Sequence, residues 1–481
     1  MVKSSHLHKI YRAGWGNLTD LYQLTMAYGY WQQAIHERKA VFHLIFREHP
    51  FGGNFTVAAG LALVADYLRQ LHFSAEEVQY LGSLHGGDGR ALFSESFLHY
   101  LQRLRFTGDL YAVPEGNIVF PQEPVIRVEA PLIQAQIIET ALLTLTNFSS
   151  LLATKAARVR LAAGSDTVLE FGLRRAQGLD GGLTASRSAY LGGCDASSNV
   201  WAGQYLGIPV RGTHAHSWVM VFADEMESFQ RYAEALPNNV VLLVDTYHTL
   251  GGVQKAIQVG RDLRARGYQL AGIRLDSGDL AALSQAARKM LDEAGFEQTK
   301  IIASSNLDEN RLRAIKAAGG QITTWGVGTR LVTAFDQPAL GGVYKLAAIA
   351  DEHGQLQDRM KRSEQAVKTT TPGAQQVRRY YDQSGKPIAD MICRTDFAGE
   401  EAVIKLFHHP DYWRIEGGAS YRNLLVPIFT SGELVYDFPS LHESRAYCLA
   451  QLELFEQPLQ KPYLYGLEQS LAQAKATLLA S

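Results

Sequence analysis

The sequence predicts an α/β protein, an irregular and incomplete α/β barrel flanked by segments of α+β character. Three observations predict it. Six short apolar runs in the middle of the chain are each followed directly by a polar cluster. The stretches between them carry helical spacing, so the runs read as parallel strands joined by right-handed crossovers, with all six clusters at one end of the sheet. Six units are fewer than the eight of a closed barrel, which is why an incomplete one is expected.

The elements follow in chain order. Residues 1–130 mix helical and extended patterns and form an N-terminal α+β lobe. Within it, Ser74 to Glu77 has the form of a capping box opening a short helix, and Ala40–Phe46 and Gly108–Val113 read as strands. Residues 131–345 form the barrel. From Pro131 to Ala163, Leu132, Ile133, Ile137, Leu142, Leu145 and Leu152 recur at helical spacing and predict one long or broken helix leading into it. The strands are TVLEF (167–171), IPVR (208–211), NVVLLV (239–244), AGIRL (271–275), KIIA (300–303) and QITTW (321–325). Their clusters are GLRR (172–175), GTHAHS (212–217), DTYHT (245–249), DSGD (276–279), SSN (304–306) and GVGT (326–329). Leu280 to Ala294 reads as a helix with Gly295 just past its end. Residues 346–481 turn charged and turn-rich, return to the α+β style and end in a helix.

A chain of 481 residues with 46% hydrophobic content exceeds what one core usually serves, so more than one lobe is expected. A net charge of −2 supplies no field for nucleic acid or anionic membrane, so a bound anion must be held by local arginines and backbone amides. Three cysteines, Cys194, Cys393 and Cys448, argue against a disulfide framework and a cysteine zinc site. The first fifteen residues lack an apolar core of leader type and no later stretch stays apolar long enough to span a bilayer, so a cytoplasmic protein is expected.

The clusters suggest chemistry. GVGT after a strand suits a phosphate, because glycine lets backbone N–H groups approach and a following helix adds a favourable dipole. Alone it would serve equally as a tight turn; five companion loops at the same end favour phosphate. GTHAHS places His214 and His216 two residues apart, which on a strand is also the pattern of a metal-dependent hydrolase barrel. The other loops offer arginine, serine and asparagine rather than further histidines, groups suited to phosphate and sugar oxygens. A histidine beside a phosphate site can instead accept a phosphoryl group, and His216 suits that better than His214, which reads as structural. In DSGD, Asp276 could accept ribose hydroxyls, whereas Asp279 reads as a helix N-cap. Arg174, Arg175 and Arg274 stand at the same rim, where arginines meet anions. A P-loop and a Rossmann fingerprint are both absent.

The segments NLTDLYQLTMAYGYW (17–31), EFGLRRAQGLDGG, GTHAHSWV, LLVDTYHTLGG, GIRLDSGDL and GVGTRLVT, in this order, closely resemble nicotinate phosphoribosyltransferases, over residues from about 10 to about 440. The resemblance implies a type II phosphoribosyltransferase: an irregular TIM-like barrel, a second α+β lobe built from both terminal segments, and a homodimer with shared active sites. It implies synthesis of nicotinate mononucleotide and diphosphate from nicotinate and phosphoribosyl diphosphate, with Mg²⁺ and coupled ATP hydrolysis. His216 matches the histidine that ATP phosphorylates, and Asp245 and Arg274 match catalytic positions. Tyr22 would stack on the pyridine in the partner subunit's site, with Phe171 on the other ring face. Arg174 and Arg274 would hold nicotinate or phosphates, beside Thr213 and Ser217. Asp245, Asp276 and Asn306 would contact ribose, and Gly326, Gly328 and Thr329 the 5-phosphate. No magnesium ligand is named by the sequence. Nicotinamide phosphoribosyltransferase is the nearest alternative; it needs acceptors for a neutral amide, whereas a carboxylate needs the donors found here.

Overall fold

The computed structural model describes residues 14–365, 368–399, 402–415, 419–456 and 462–480; residues 1–13 of the N-terminal segment read above for a leader lie outside them. The chain divides into two compact units, Met1–Leu151 with Ala339–Ser481, and Leu152–Pro338. The divisions fall at 151/152, inside the helix Glu139–Ala163, and at 338/339, where the sequence placed them at 130/131 and 345/346.

The unit Leu152–Pro338 is built on a six-stranded parallel sheet. Its strands are β1 (Thr167–Glu170), β2 (Ala196–Ser197), β3 (Val240–Leu243), β4 (Leu270–Leu275), β5 (Lys300–Ser304) and β6 (Thr324–Val327). They lie in the order β2-β1-β6-β5-β4-β3. Parallel pairing buries both faces, which is why the runs are apolar without alternation. Leu242, Ile273, Ala303, Trp325 and Val327 are all fully buried. The intervening helices carry ordinary signals. Asp279 Oδ1 accepts from the N–H groups of Ala281 and Ala282 at 3.1 Å, so Asp279 is an N-cap, and Gly295 takes φ +78° past the end of the helix Leu280–Glu293.

Two strand assignments differ from the sequence reading. Ile208–Arg211 is not a strand: Pro209 has no N–H to donate, and only Val210 forms a parallel bridge, with Ser197. The strand at that place is the two-residue β2, too short and too small-chained to show as an apolar run. β6 extends through Gly326 and Val327, so the GVGT cluster begins inside the strand rather than after it.

In the other unit, Lys39–Phe46 pairs antiparallel with Ile126–Pro131 on one side and Gly342–Ala350 on the other, within a seven-stranded sheet. Segments distant in sequence therefore share one sheet, and Phe42 stacks on Tyr344 with centroids 4.9 Å apart. A second, six-stranded sheet is contributed by residues 375–468. The capping box is present, with Glu77 N–H on Ser74 Oγ at 3.2 Å and Ser74 N–H on Glu77 Oε2 at 2.8 Å. The apolar stretch from Pro131 forms two helices, Leu132–Ile137 and Glu139–Ala163, broken at Ile138. The described chain ends in the helix Gln469–Ala480. No helix of the described residues is long and apolar enough to cross a membrane.

Candidate active site

The C-terminal ends of the parallel strands surround an open cavity of ≈ 550 Å³ that lies wholly within the unit Leu152–Pro338. Twelve of the residues singled out from the sequence line it: Phe171, Arg174, Arg175, Thr213, His214, His216, Arg274, Asp276, Asn306, Gly326, Gly328 and Thr329. Ser217 does not; it is exposed on the short helix His216–Met220. Asp245 lies beneath the wall rather than in it, and Tyr22 belongs to the other unit. Ser198, which no sequence signal flagged, is also in the wall because it directly follows β2.

Arg274, near the end of β4, organises the floor. Its Nε donates to Ser304 Oγ at 2.8 Å, Nη1 to Thr213 Oγ1 at 2.9 Å and Nη2 to Asp276 Oδ1 at 2.8 Å. Ser304 in turn donates to the same Asp276 oxygen. Burial pushes the Asp276 carboxyl up, but the Ser304 hydroxyl and Arg274 outweigh it and hold the group below its ordinary value. Three loops, after β4, β5 and the Ile208–Arg211 segment, are thereby locked to one guanidinium. Most of its donors are spent within the protein, which makes Arg274 an organiser of the site and leaves Arg174 and Arg175 as the exposed cations at its rim.

The two histidines differ in kind. His214 is buried, its Nε2 accepting from Leu243 N–H at 3.1 Å, which leaves the proton on Nδ1, 3.3 Å from Ala215 O. Burial lowers its pKa to about 4, so it stays neutral. Both nitrogens are occupied, and the HxH pair cannot act together as metal ligands. His216 is 40% exposed, with Nδ1 3.1 Å from Thr246 Oγ1 and Nε2 facing the cavity 3.8 Å from Asp276 Oδ2.

The glycine loop is shaped by close packing. A Cβ on Gly326 would lie 2.7 Å from the Phe171 ring, so glycine there lets the ring lie against β6. Across the cavity Ser305 and Asn306 both take positive φ, 133° and 43°, conformations that cost non-glycine residues on the order of 1–3 kcal/mol each and concentrate at functional loops.

Asp245 follows β3 and carries the one feature that suits a cation. Its Oδ2 accepts from Asp276 N–H and Ser277 Oγ, both at 2.7 Å, while Oδ1 is buried with no partner. An unpaired buried carboxylate oxygen is costly unless a positive charge comes to it. Among the described residues no cluster of three or more His, Cys, Asp or Glu side chains that could hold a metal ion is present.

Tyr22 lies on the helix Leu21–Gln32, 48% exposed, beside Leu21 at 53% and Met26 at 38%. Burial, then the Glu139 and Asp20 carboxylates, raise its phenol pKa.

Comparisons with known proteins agree along the chain. Residues 18–147 match the family model for the nicotinate phosphoribosyltransferase N-terminal domain, 167–384 that for the family, and 374–470 that for the C-terminal domain. A nicotinate phosphoribosyltransferase of Bacillus subtilis (strain 168) is 44% identical over 441 residues, 91% of this chain and 88% of the relative. One from Homo sapiens is 38% identical, covering 91% of this chain and 90% of its own. The crystal structure of human nicotinic acid phosphoribosyltransferase superposes with a TM-score of 0.82 at 34% identity, covering 96% of this chain and 99% of that one. A nicotinate-nucleotide pyrophosphorylase from Pyrococcus furiosus, at 23% identity and a TM-score of 0.69, shares the fold. With its strand-end cavity, its arginine rim and matches of this extent, the chain belongs to the nicotinate phosphoribosyltransferase family of enzymes.

Proposed function

We propose that this enzyme makes nicotinate mononucleotide and diphosphate from nicotinate and phosphoribosyl diphosphate, with ATP hydrolysis coupled through a phosphohistidine at His216. The observation that carries the reading is the convergence of the Arg274, Asp276 and Ser304 network, the arginine turn and the glycine loop on one cavity. Breaking the bond to diphosphate builds positive charge at the anomeric carbon and negative charge on the leaving group, so fixed donors and acceptors on opposite sides lower the barrier. Asp276, held ionised, faces the ribose; Asn306 lies beside it. Gly326, Gly328 and Thr329 give backbone and hydroxyl donors for the 5-phosphate. Arg174, aided by Arg175, meets the nicotinate carboxylate or diphosphate, and Phe171 packs on the pyridine. Asp245 and Asp276 would hold Mg²⁺, which when bound neutralises the diphosphate.

The pyridine nitrogen is already a nucleophile, so no base is required, and His216 is free for another task. Thr246 on Nδ1 fixes the ring and leaves Nε2 to take the γ-phosphoryl group of ATP. The exposed Leu21, Tyr22 and Met26 support a homodimer in which Tyr22 reaches the partner's cavity, with Thr213 beside the bound ring. The open parallel sheet is read as an incomplete TIM-like barrel with the other unit as its second lobe. Three buried cysteines outside any disulfide suit a reducing cytoplasm and a role in NAD salvage.

The test is to supply phosphoribosyl diphosphate, ATP and Mg²⁺ with nicotinate, nicotinamide or quinolinate in turn and identify the mononucleotide. Nicotinate should be used at least a hundredfold better than nicotinamide, because donors set for a carboxylate are left poorly paired by an amide, a loss of roughly 3 kcal/mol. Equal specificity constants for the two would overturn the assignment.

A further inference from the structure

Glu170 is the single acid inside the apolar run TVLEF, at the end of β1, and it lies under the cavity without lining it. It is 1% exposed. Its charge is balanced by donors. Oε1 accepts from Gly172 N–H, and Oε2 from Ser186 Oγ at 2.9 Å and Ser197 Oγ at 2.5 Å. Its own carbonyl accepts from Ser198 N–H at 2.9 Å. Behind these, Ser197 Oγ accepts from Asn199 N–H at 2.9 Å, and Asn199 Nδ2 donates to Ser186 Oγ at 3.1 Å.

Two walls of the cavity meet at this residue. One is the turn Leu173–Arg175, which presents Arg174 and Arg175. The other is Ser198 after β2. The turn is fixed at its root from two sides: Glu170 holds the Gly172 N–H, and on the opposite side Gly172 rests on Val332, where a Cβ would come within 2.1 Å of Cγ1. Val332 ends the short helix that follows the glycine loop. We infer that Glu170 is a positioning residue, whose buried carboxylate ties the root of the arginine turn at Gly172 to Ser197, the residue before Ser198, and so sets the affinity for the anionic substrate without touching it. This rests on the reading of the cavity as the phosphoribosyl diphosphate site.

The role is geometric rather than electrostatic. A buried negative charge beneath an anion site opposes binding, so removing the charge alone should do no harm. Glutamine can keep its oxygen on Gly172 N–H and turn its amide to the serines, because Ser186 can direct its proton to Gly182 O, 3.1 Å away, and both hydroxyls can accept. Alanine leaves the Gly172 N–H and the Ser197 hydroxyl without their carboxylate acceptor, while Ser186 keeps Gly182 O.

The experiment measures kcat and KM for phosphoribosyl diphosphate in the full-length protein with Mg²⁺, alongside calorimetric titration with phosphoribosyl diphosphate and thermal melting. Glu170→Ala should raise KM and the dissociation constant on the order of tenfold, the effect of losing about one buried hydrogen bond's worth of order, with kcat changed less. Glu170→Gln should remain within about threefold of wild type, since it retains the Gly172 bond. Should Glu170→Ala not fold, Ser197→Ala, which removes one of the three donors, should raise KM by about threefold. Folded Glu170→Ala or Ser197→Ala with unchanged KM and titration overturns the inference, as does a glutamine variant as impaired as the alanine one. A wild-type protein that makes no nicotinate mononucleotide would instead overturn the functional reading itself.

Discussion

Replacing Arg274 with methionine keeps the unbranched stem of the side chain to about the position of Nε and removes its donors, which makes it the sharpest test of the cavity floor. The guanidinium gives hydrogen bonds of 2.8–2.9 Å to Ser304, Thr213 and Asp276 and a longer one of 3.4 Å to His214 O. A charge-assisted bond is worth about 1.5–3 kcal/mol, but Asp276 is 34% exposed, so water recovers part of the loss. A net cost of about 2–3 kcal/mol to the assembled site corresponds to a fall of roughly 30- to 150-fold in kcat/KM. The pH profile should move as well. Ser304 and Arg274 hold Asp276 below its ordinary value against the upward push of burial, so in the wild type the carboxylate persists to low pH; without Arg274 the acid limb shifts upward. Linkage gives the same sign for stability. A depressed carboxyl stabilises the fold above its unfolded pKa and loses that contribution as pH falls through the folded one. The stability gap between wild type and variant should therefore be widest at neutral pH and narrow in acid. The assay is mononucleotide synthesis from pH 4 to 8 with urea unfolding at each end. A folded variant with unaltered kcat/KM and an unmoved acid limb would refute the reasoning.

Two further outcomes are expected. His216→Asn should abolish ATP hydrolysis and acid-labile labelling from γ-labelled ATP while a slower, ATP-independent synthesis persists; His214→Asn should keep the label but lose about 1–3 kcal/mol of stability, because Leu243 N–H loses its buried acceptor. Continued ATP hydrolysis in step with product in the His216 variant would exclude the phosphohistidine. Tyr22→Ala should raise the KM for nicotinate about fivefold, stacking being worth on the order of 1 kcal/mol, and mixing it with Asp245→Asn subunits should restore activity. Absence of recovery with proven subunit exchange would exclude a shared site.

Much of the site was legible because parallel strands announce themselves as unbroken apolar runs and end at functional loops. β1, β3, β4, β5 and β6 and their polar clusters were found in this way, as were the N-cap at Asp279 and the structural part played by His214. The failures have physical causes. Pro209 cannot donate to a ladder, yet IPVR had the hydropathy of a strand, while β2 is two small residues whose pairing is decided by its neighbours. Ser198 owes its place in the wall to that unannounced strand. Glu170 carries no local signal inside its apolar run, although an acid on a strand buried on both faces must find donors, because those lie 2, 16 and 27 residues away in sequence. The antiparallel sheets of the other unit join segments whose partners no local pattern can name.

That last arrangement constrains how the polypeptide can acquire its structure during synthesis. Ala40 finds one neighbour at Ala130 and the other only at Ile349. A ribosome adding residues from the N-terminus exposes one edge of Lys39–Phe46, a run with seven buried positions, until the whole stretch Leu152–Pro338 has emerged. The contiguous unit can complete its own contacts first, whereas the discontinuous one must close its sheet late and over a long loop, the slow step by contact-order reasoning. Aggregation during expression should therefore originate from the open edge at Lys39–Phe46, and chaperone demand should be greatest for chains stalled short of Gly342.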